Sequence, residues 1–202
     1  MYSLFFIFFF MDITLFSHPV IWKGGHVLES RISNSMNELT YHHSFTPKWS
    51  LGVHGVEFQQ GAGYVMGQAN VLFKRWNLSK SQSNIYFFSG LGFKGDEASK
   101  LIKHVGVQVD WEDRRVYTHA HLHSYHTDKS RYFFQYRFGV APYVAEFNAI
   151  HSWLIVQIDT QFLGEEQCTT LMPVIRVFKD NVLLEWGHNF NKKFIVKGMV
   201  HF

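Results

Sequence analysis

Three histidines recur at every second position in His119, His121 and His123, and a fourth, His104, lies one segment upstream. On an extended strand, residues i and i+2 share a face and lie about 6.5 to 7 Å apart, while a cross-strand pair comes nearer, to about 5 Å. The two segments are joined through Asp113–Arg114. If that pair forms a two-residue turn, Glu112 meets Arg115, and the ladder continues as Asp110/Tyr117, Gln108/His119, Gly106/His121 and His104/His123. This register gathers four imidazoles on one face. His104, His121 and His123 could then hold a borderline divalent cation such as Zn²⁺, Cu²⁺ or Ni²⁺. Without a methionine cluster or a second cysteine beside Cys168, a dedicated copper(I) site is disfavoured. The alternative is that the histidines simply line a wet lumen as polar, mostly neutral groups. His126 falls on the opposite face.

Charged residues share the same faces. Asp110 and Glu112 are expected to satisfy Arg115 and lumen water rather than act as a catalytic acid pair. A second two-residue turn, Asp180–Asn181, sets Arg176 opposite Glu185. Arg137, Asp159, Gln157 and Lys197 also point to this side. Both signs are present, so no single-sign selectivity ring can be read. Nucleophile chemistry finds little support: His123 and Ser124 are adjacent, and neighbouring strand residues point to opposite faces. The chain has no Gly-x-Ser-x-Gly elbow, His-Glu-x-x-His helix or phosphate loop.

The elements that must position these residues are strands. Of the 202 residues, 47% are hydrophobic and 18% aromatic, but only 17% are charged, against about a quarter in ordinary soluble domains. Disorder is excluded by this apolar content, and a net charge of +3 spread along the chain is too weak for a nucleic-acid groove. From Pro19 onward apolar residues recur with period two. The clearest strands are 49–58, 63–76, 84–93, 104–112, 115–126, 131–146, 150–161, 169–179, 182–189 and 192–202, with weaker ones near 20–32 and 38–45. In 131–140 one face carries Tyr132, Phe134, Tyr136, Phe138 and Val140, and the other carries Gln135, Arg137 and Gly139. Polar faces rich in Gly, Gln and His opposite large apolar faces describe a closed barrel with lipid outside and a polar interior. The predicted fold is all-β: an antiparallel up-and-down transmembrane β-barrel of 10 to 12 strands. Twelve strands make a barrel wider than the eight that side chains can fill, so water or a narrow channel is expected inside. A soluble lipocalin-like barrel is the runner-up fold.

Turn lengths offer a second test, because outer-membrane barrels have short periplasmic turns and longer outer loops. With the first strand rising from the periplasm, periplasmic links fall at 46–48, 77–82, 113–114, 147–149 and 180–181. The longest link, Lys94–Lys103, then lies outside. Residues 1–17 contain an apolar run that is too short to span a membrane and suits a secretory signal with Ser17 near the cut, although Asp12 interrupts it and no basic residue precedes it. Residues 18–202 then form a single domain.

The last strand ends on Phe202, with Val200, Gly198, Val196 and Phe194 on the same face. In this the chain resembles bacterial outer-membrane β-barrel proteins, whose final strand typically closes on an aromatic residue preceded by alternating hydrophobic ones. The resemblance implies an outer-membrane location in lipid and insertion by the barrel-assembly machinery. It also brings in small-barrel lipid A deacylases and phospholipases as an alternative to a channel, binding or structural barrel. Gly139–Tyr143, GVAPY, is loosely similar to a stretch of outer-membrane copper-resistance barrels.

Overall fold

The computed structural model describes residues 18–59, 63–146 and 149–202. The predicted signal segment, residues 1–17, lies outside them. Twelve antiparallel strands follow one another in chain order: β1 His26–Ser33, β2 Met36–Thr46, β3 Trp49–Phe58, β4 Gly63–Asn77, β5 Ser81–Lys94, β6 Glu97–Asp113, β7 Val116–His126, β8 Ser130–Val140, β9 His151–Leu163, β10 Glu166–Lys179, β11 Val182–His188 and β12 Phe194–His201. Each pairs with its sequence neighbours, and β12 pairs back to β1, so the sheet closes. Closure leaves no free edge around the middle of the wall. At the seam, His26 and Phe202 exchange backbone hydrogen bonds of 2.7 and 3.0 Å, and their rings stack at 5.3 Å.

The wall follows the period-two pattern. On β8, Tyr132, Phe134, Tyr136, Phe138 and Val140 face outward and exposed, whereas Arg131, Phe133 and Arg137 face inward and buried. The same parity turns Val196 outward and Ile195 and Met199 inward on β12. Large apolar residues on the outer face of a closed barrel suit hydrocarbon rather than water.

Several links differ from the sequence expectation. β6 begins at Glu97, so the link predicted over 94–103 shrinks to Gly95–Asp96. The longest connection is 141–150, at the end of the barrel where both termini lie. The links at the opposite end, termed here the far end, run from two to five residues, so loop length does not tell the two ends apart. β1 starts at His26 rather than near residue 20, and β8 stops at Val140 rather than running on to 146.

The interior is divided. At the far end, Met36, Val56, Phe58, Met66, Ile102, Tyr125 and Phe133 form an inward apolar cluster on the β2–β8 side. The other side, bounded by β8–β10, β12 and β1, stays open as a vestibule of about 290 Å³. Arg31, His123 and Gln135 line both this vestibule and a deeper chamber of about 120 Å³. At the terminal end, residues 18–25 fold back into the barrel. Val20 is buried against Leu72, Tyr86 and Phe88, and His18 and Pro19 form part of the chamber floor. Ala141 and Ala145 of the long link are buried at that end too.

Candidate lumen site

The histidine ladder lies inside the barrel, but two residues out of the predicted register. Asp110 pairs with His119, Gln108 with His121, Gly106 with His123 and His104 with Tyr125. The cause is the Asp113 side chain: its Oδ1 accepts from the backbone N–H groups of Arg115 and Val116, both at 2.6 Å. This side-chain-capped turn moves the two-residue link from 113–114 to 114–115, with Glu112/Tyr117 the last pair of the ladder. Arg115 therefore sits exposed in the turn instead of facing Glu112. A slip of two residues keeps every side chain on its face, so the inward assignments of His104, His119, His121 and His123 survive. Gly106 makes room for the ladder, since a Cβ there would stand 2.9 Å from that of His123.

The rings do not converge on a point. His121 and His123 stack face to face at 4.4 Å with planes 9° apart, which sets their in-plane lone pairs side by side. His104 stacks on Tyr125 at 4.6 Å and meets His123 edge-on at 5.7 Å. A zinc or copper site needs several ring nitrogens aimed at one ion. Among the described residues no group of three or more His, Cys, Asp or Glu is placed to hold a metal with the rings arranged in this way. Both ring nitrogens of His104 and Nδ1 of His119 are buried without a protein hydrogen-bond partner, so these imidazoles serve as a polar lining to the chamber.

The charged residues, by contrast, are fastened. Arg176 and Glu185 pair across β10 and β11 as the turn at 180–181 predicts, with Arg176 Nε donating to Glu185 Oε1 at 2.6 Å. Arg137, arriving from β8, donates to Glu185 Oε2 at 2.7 Å, and the Arg176 guanidinium covers the Tyr117 ring at 4.7 Å. Lys197 pairs with Glu29 at 2.9 Å. Asp159 accepts from Gln135 and Gln157, and Asp110 from Asn84 and Gln108. Glu112 is buried with neither carboxylate oxygen hydrogen-bonded to protein.

Two arrangements escaped the sequence reading. Arg31 on β1 pairs with Glu38 on β2 at 2.5 Å, and Glu38 also meets His54 at 3.3 Å and accepts from Tyr125 at 2.9 Å. The alternation of 20–32 and 38–45 carried a signal for this pair, since Arg31 and Glu38 are charged members of the inward faces. At the outer face of the far rim, Ser124 Oγ and His126 Nε2 are 3.0 Å apart, and His126 Nδ1 lies 2.9 Å from Ser130 Oγ. A Ser–His pair at this spacing is the first half of a nucleophile-activating arrangement. The group that orients the imidazole is a hydroxyl, with no carboxylate bonded to it among the described residues. The developing imidazolium thus lacks the negative partner of a triad.

The fold and its lumen together define a closed, twelve-stranded antiparallel β-barrel with a polar interior. Among solved structures, the chain superposes on one described as "KdgM porin" with a TM-score of 0.53 at 10% identity, covering 88% of this chain and 98% of that one. A second, titled "Unveiling the Mechanism Behind the in-meso Crystallization of Membrane Proteins", gives 0.48 at 12% identity, over 88% and 83% of the two chains. No protein-family model and no curated protein matches the sequence.

Proposed function

We propose that this chain is an outer-membrane β-barrel acting as a small channel for polar solutes, entered from the far end through the vestibule. The carrying observation is a closed twelve-stranded barrel whose outer face is apolar and whose inner face surrounds a polar chamber. Its likeness in fold to a porin supports the same reading. So does the C-terminal strand, with Phe194, Val196, Val200 and Phe202 on one face, as a substrate for the barrel-assembly machinery. Export through residues 1–17 belongs to this proposal.

The passage is closed in this structure. Vestibule and chamber meet at Arg31, His123 and Gln135, and the chamber stops at His18 and Pro19. A channel with this geometry conducts only when its floor moves. Two measurements test the reading. Folded protein in detergent should show a mobility shift on boiling, and a protein that stays soluble without detergent and shows no shift would overturn the membrane barrel. In planar bilayers, a variant lacking residues 18–23 should show larger and more frequent conductance steps than the full chain. Equal silence from both would sink the channel.

A further inference from the structure

The floor is joined to the rest of the lumen by one unbroken chain of side chains. His54 Nδ1 lies 2.6 Å from Gln68 Oε1, Gln68 Nε2 donates to Asn70 Oδ1 at 2.8 Å, Asn70 Nδ2 donates to Ser50 Oγ at 2.9 Å, and Ser50 Oγ donates to the Pro19 carbonyl at 2.8 Å. His54, Gln68, Asn70 and Ser50 are all buried, the last two with no exposed surface. At the head of the chain, His54 Nε2 faces Glu38, itself paired with Arg31 at the mouth of the chamber.

The direction of the bonds is set by chemistry. Ser50 spends its single hydroxyl hydrogen on the Pro19 carbonyl and so accepts from Asn70 Nδ2, which turns Asn70 Oδ1 towards Gln68 Nε2 and Gln68 Oε1 towards the N–H of His54 Nδ1. From His54 Nδ1–H every bond runs donor to acceptor in the same sense, ending on the floor. Hydrogen bonds aligned head to tail polarise and strengthen one another in a low-dielectric interior.

We propose that residues 18–23 are a gate and that the chain from His54 to Pro19 is its latch, which resists opening while the chain is unbroken. This rests on the channel reading above. The remaining hydrogen-bond anchors are single contacts: Ser44 Oγ accepts from the Ile21 N–H at 3.1 Å, Tyr86 OH meets His18 Nδ1 at 2.9 Å, and at the base of the segment the Gly24 N–H donates to the Ser44 carbonyl at 2.8 Å. Gly24, at φ 85° and exposed, lies where the segment joins β1, a conformation only glycine adopts without cost, and provides the pivot. The titratable and charged groups facing His54 are Arg31 from β1, Glu38 and His42 from β2, His104 from β6, and His123 and Tyr125 from β7.

The test places a cysteine under the floor. Val20 is 1% exposed, so the thiol of Val20→Cys reacts only when the floor swings out, while native Cys168, exposed in the vestibule, gives an internal reference in the same molecule. The readout is the rate of thiol labelling at position 20 divided by that at Cys168. With the full chain folded in detergent, as read by its boiling shift, adding Ser50→Ala or His54→Phe to Val20→Cys should raise this ratio about tenfold. That factor corresponds to one hydrogen bond of ordinary net strength. Thr40→Ala, which lines the chamber outside the chain, should leave the ratio unchanged. If Ser50→Ala speeds labelling but His54→Phe does not, the floor is anchored locally and the latch is wrong; no change in either variant overturns it equally. Bilayer conductance is read separately: fast labelling without conductance keeps the latch and removes the channel.

Discussion

Between β8 and β11 two guanidiniums, Arg137 and Arg176, grip the single carboxylate of Glu185 at 2.7 and 2.6 Å, whereas between β2 and β7 imidazoles stack on one another and several of their nitrogens touch no protein partner. Both regions are buried and both face the lumen. The first is built of groups that are always charged and must stay paired, so it fixes three strands at one height. The second is built of imidazoles, which can stay neutral and carry their one proton on either ring nitrogen. One side of the barrel is therefore riveted, and the other carries an adjustable lining. Within that lining His54, held between the Gln68 carbonyl and the Glu38 carboxylate, is the imidazole whose chain reaches the floor.

The largest expected effect comes from breaking the rivet. Glu185→Gln leaves two buried guanidiniums without their counter-charge and should cost about 3–5 kcal/mol in chemical unfolding of the detergent-folded barrel. Replacing all three partners, as Arg137→Met, Arg176→Met and Glu185→Leu, should recover most of that loss, because no buried charge is left uncompensated. If the triple variant is as weak as Glu185→Gln alone, the cluster holds the strands through more than its charge balance.

On the adjustable side, His104→Phe should change stability by less than about 1 kcal/mol in either direction, since both nitrogens it removes are unpartnered and the ring can keep its stack on Tyr125. A loss approaching that of Glu185→Gln would mean that bound water gives the imidazole a rivet of its own. Smaller still, Zn²⁺ or Cu²⁺ should bind the full chain and a His104/His121/His123 triple alanine variant equally weakly in calorimetric titration. A stoichiometric site lost in the variant would show that the stacked rings rearrange around an ion. At the far rim, fluorophosphonate should leave Ser124 unlabelled, and an adduct lost in Ser124→Ala would put catalytic chemistry on the outer face.

The sequence made the rivet legible more readily than the lining. A two-residue turn at Asp180–Asn181, with Asp180 at a φ of 53°, fixes Arg176 opposite Glu185 from nine residues away. The same reasoning at Asp113–Arg114 missed by two in register, because the Asp113 carboxylate captures the backbone donors of Arg115 and Val116 and moves the two-residue turn one position along the chain. The third member of the rivet, Arg137, sits 48 residues from Glu185, and no local pattern announces it. The chain to the floor was equally hidden: Pro19 and Ser50 are 31 residues apart, on segments whose spacing says nothing about contact.

What the sequence determined by itself was the face of each side chain. A strand alternates with period two, so hydrophobic spacing alone assigns inside and outside, and that assignment survives even a register slip of two. From it follow the all-β class, a strand count of 10 to 12 against the twelve observed, and the lumen position of His104, His119, His121 and His123 and of the charged residues singled out, Arg115 excepted. What only the tertiary structure decided was which inward groups meet across the lumen, that residues 18–25 turn back to floor it, and that the imidazoles stack instead of converging. These depend on closure of β12 onto β1 and on the relative height of strands far apart in sequence, quantities set by the packing of the whole barrel and by no local spacing.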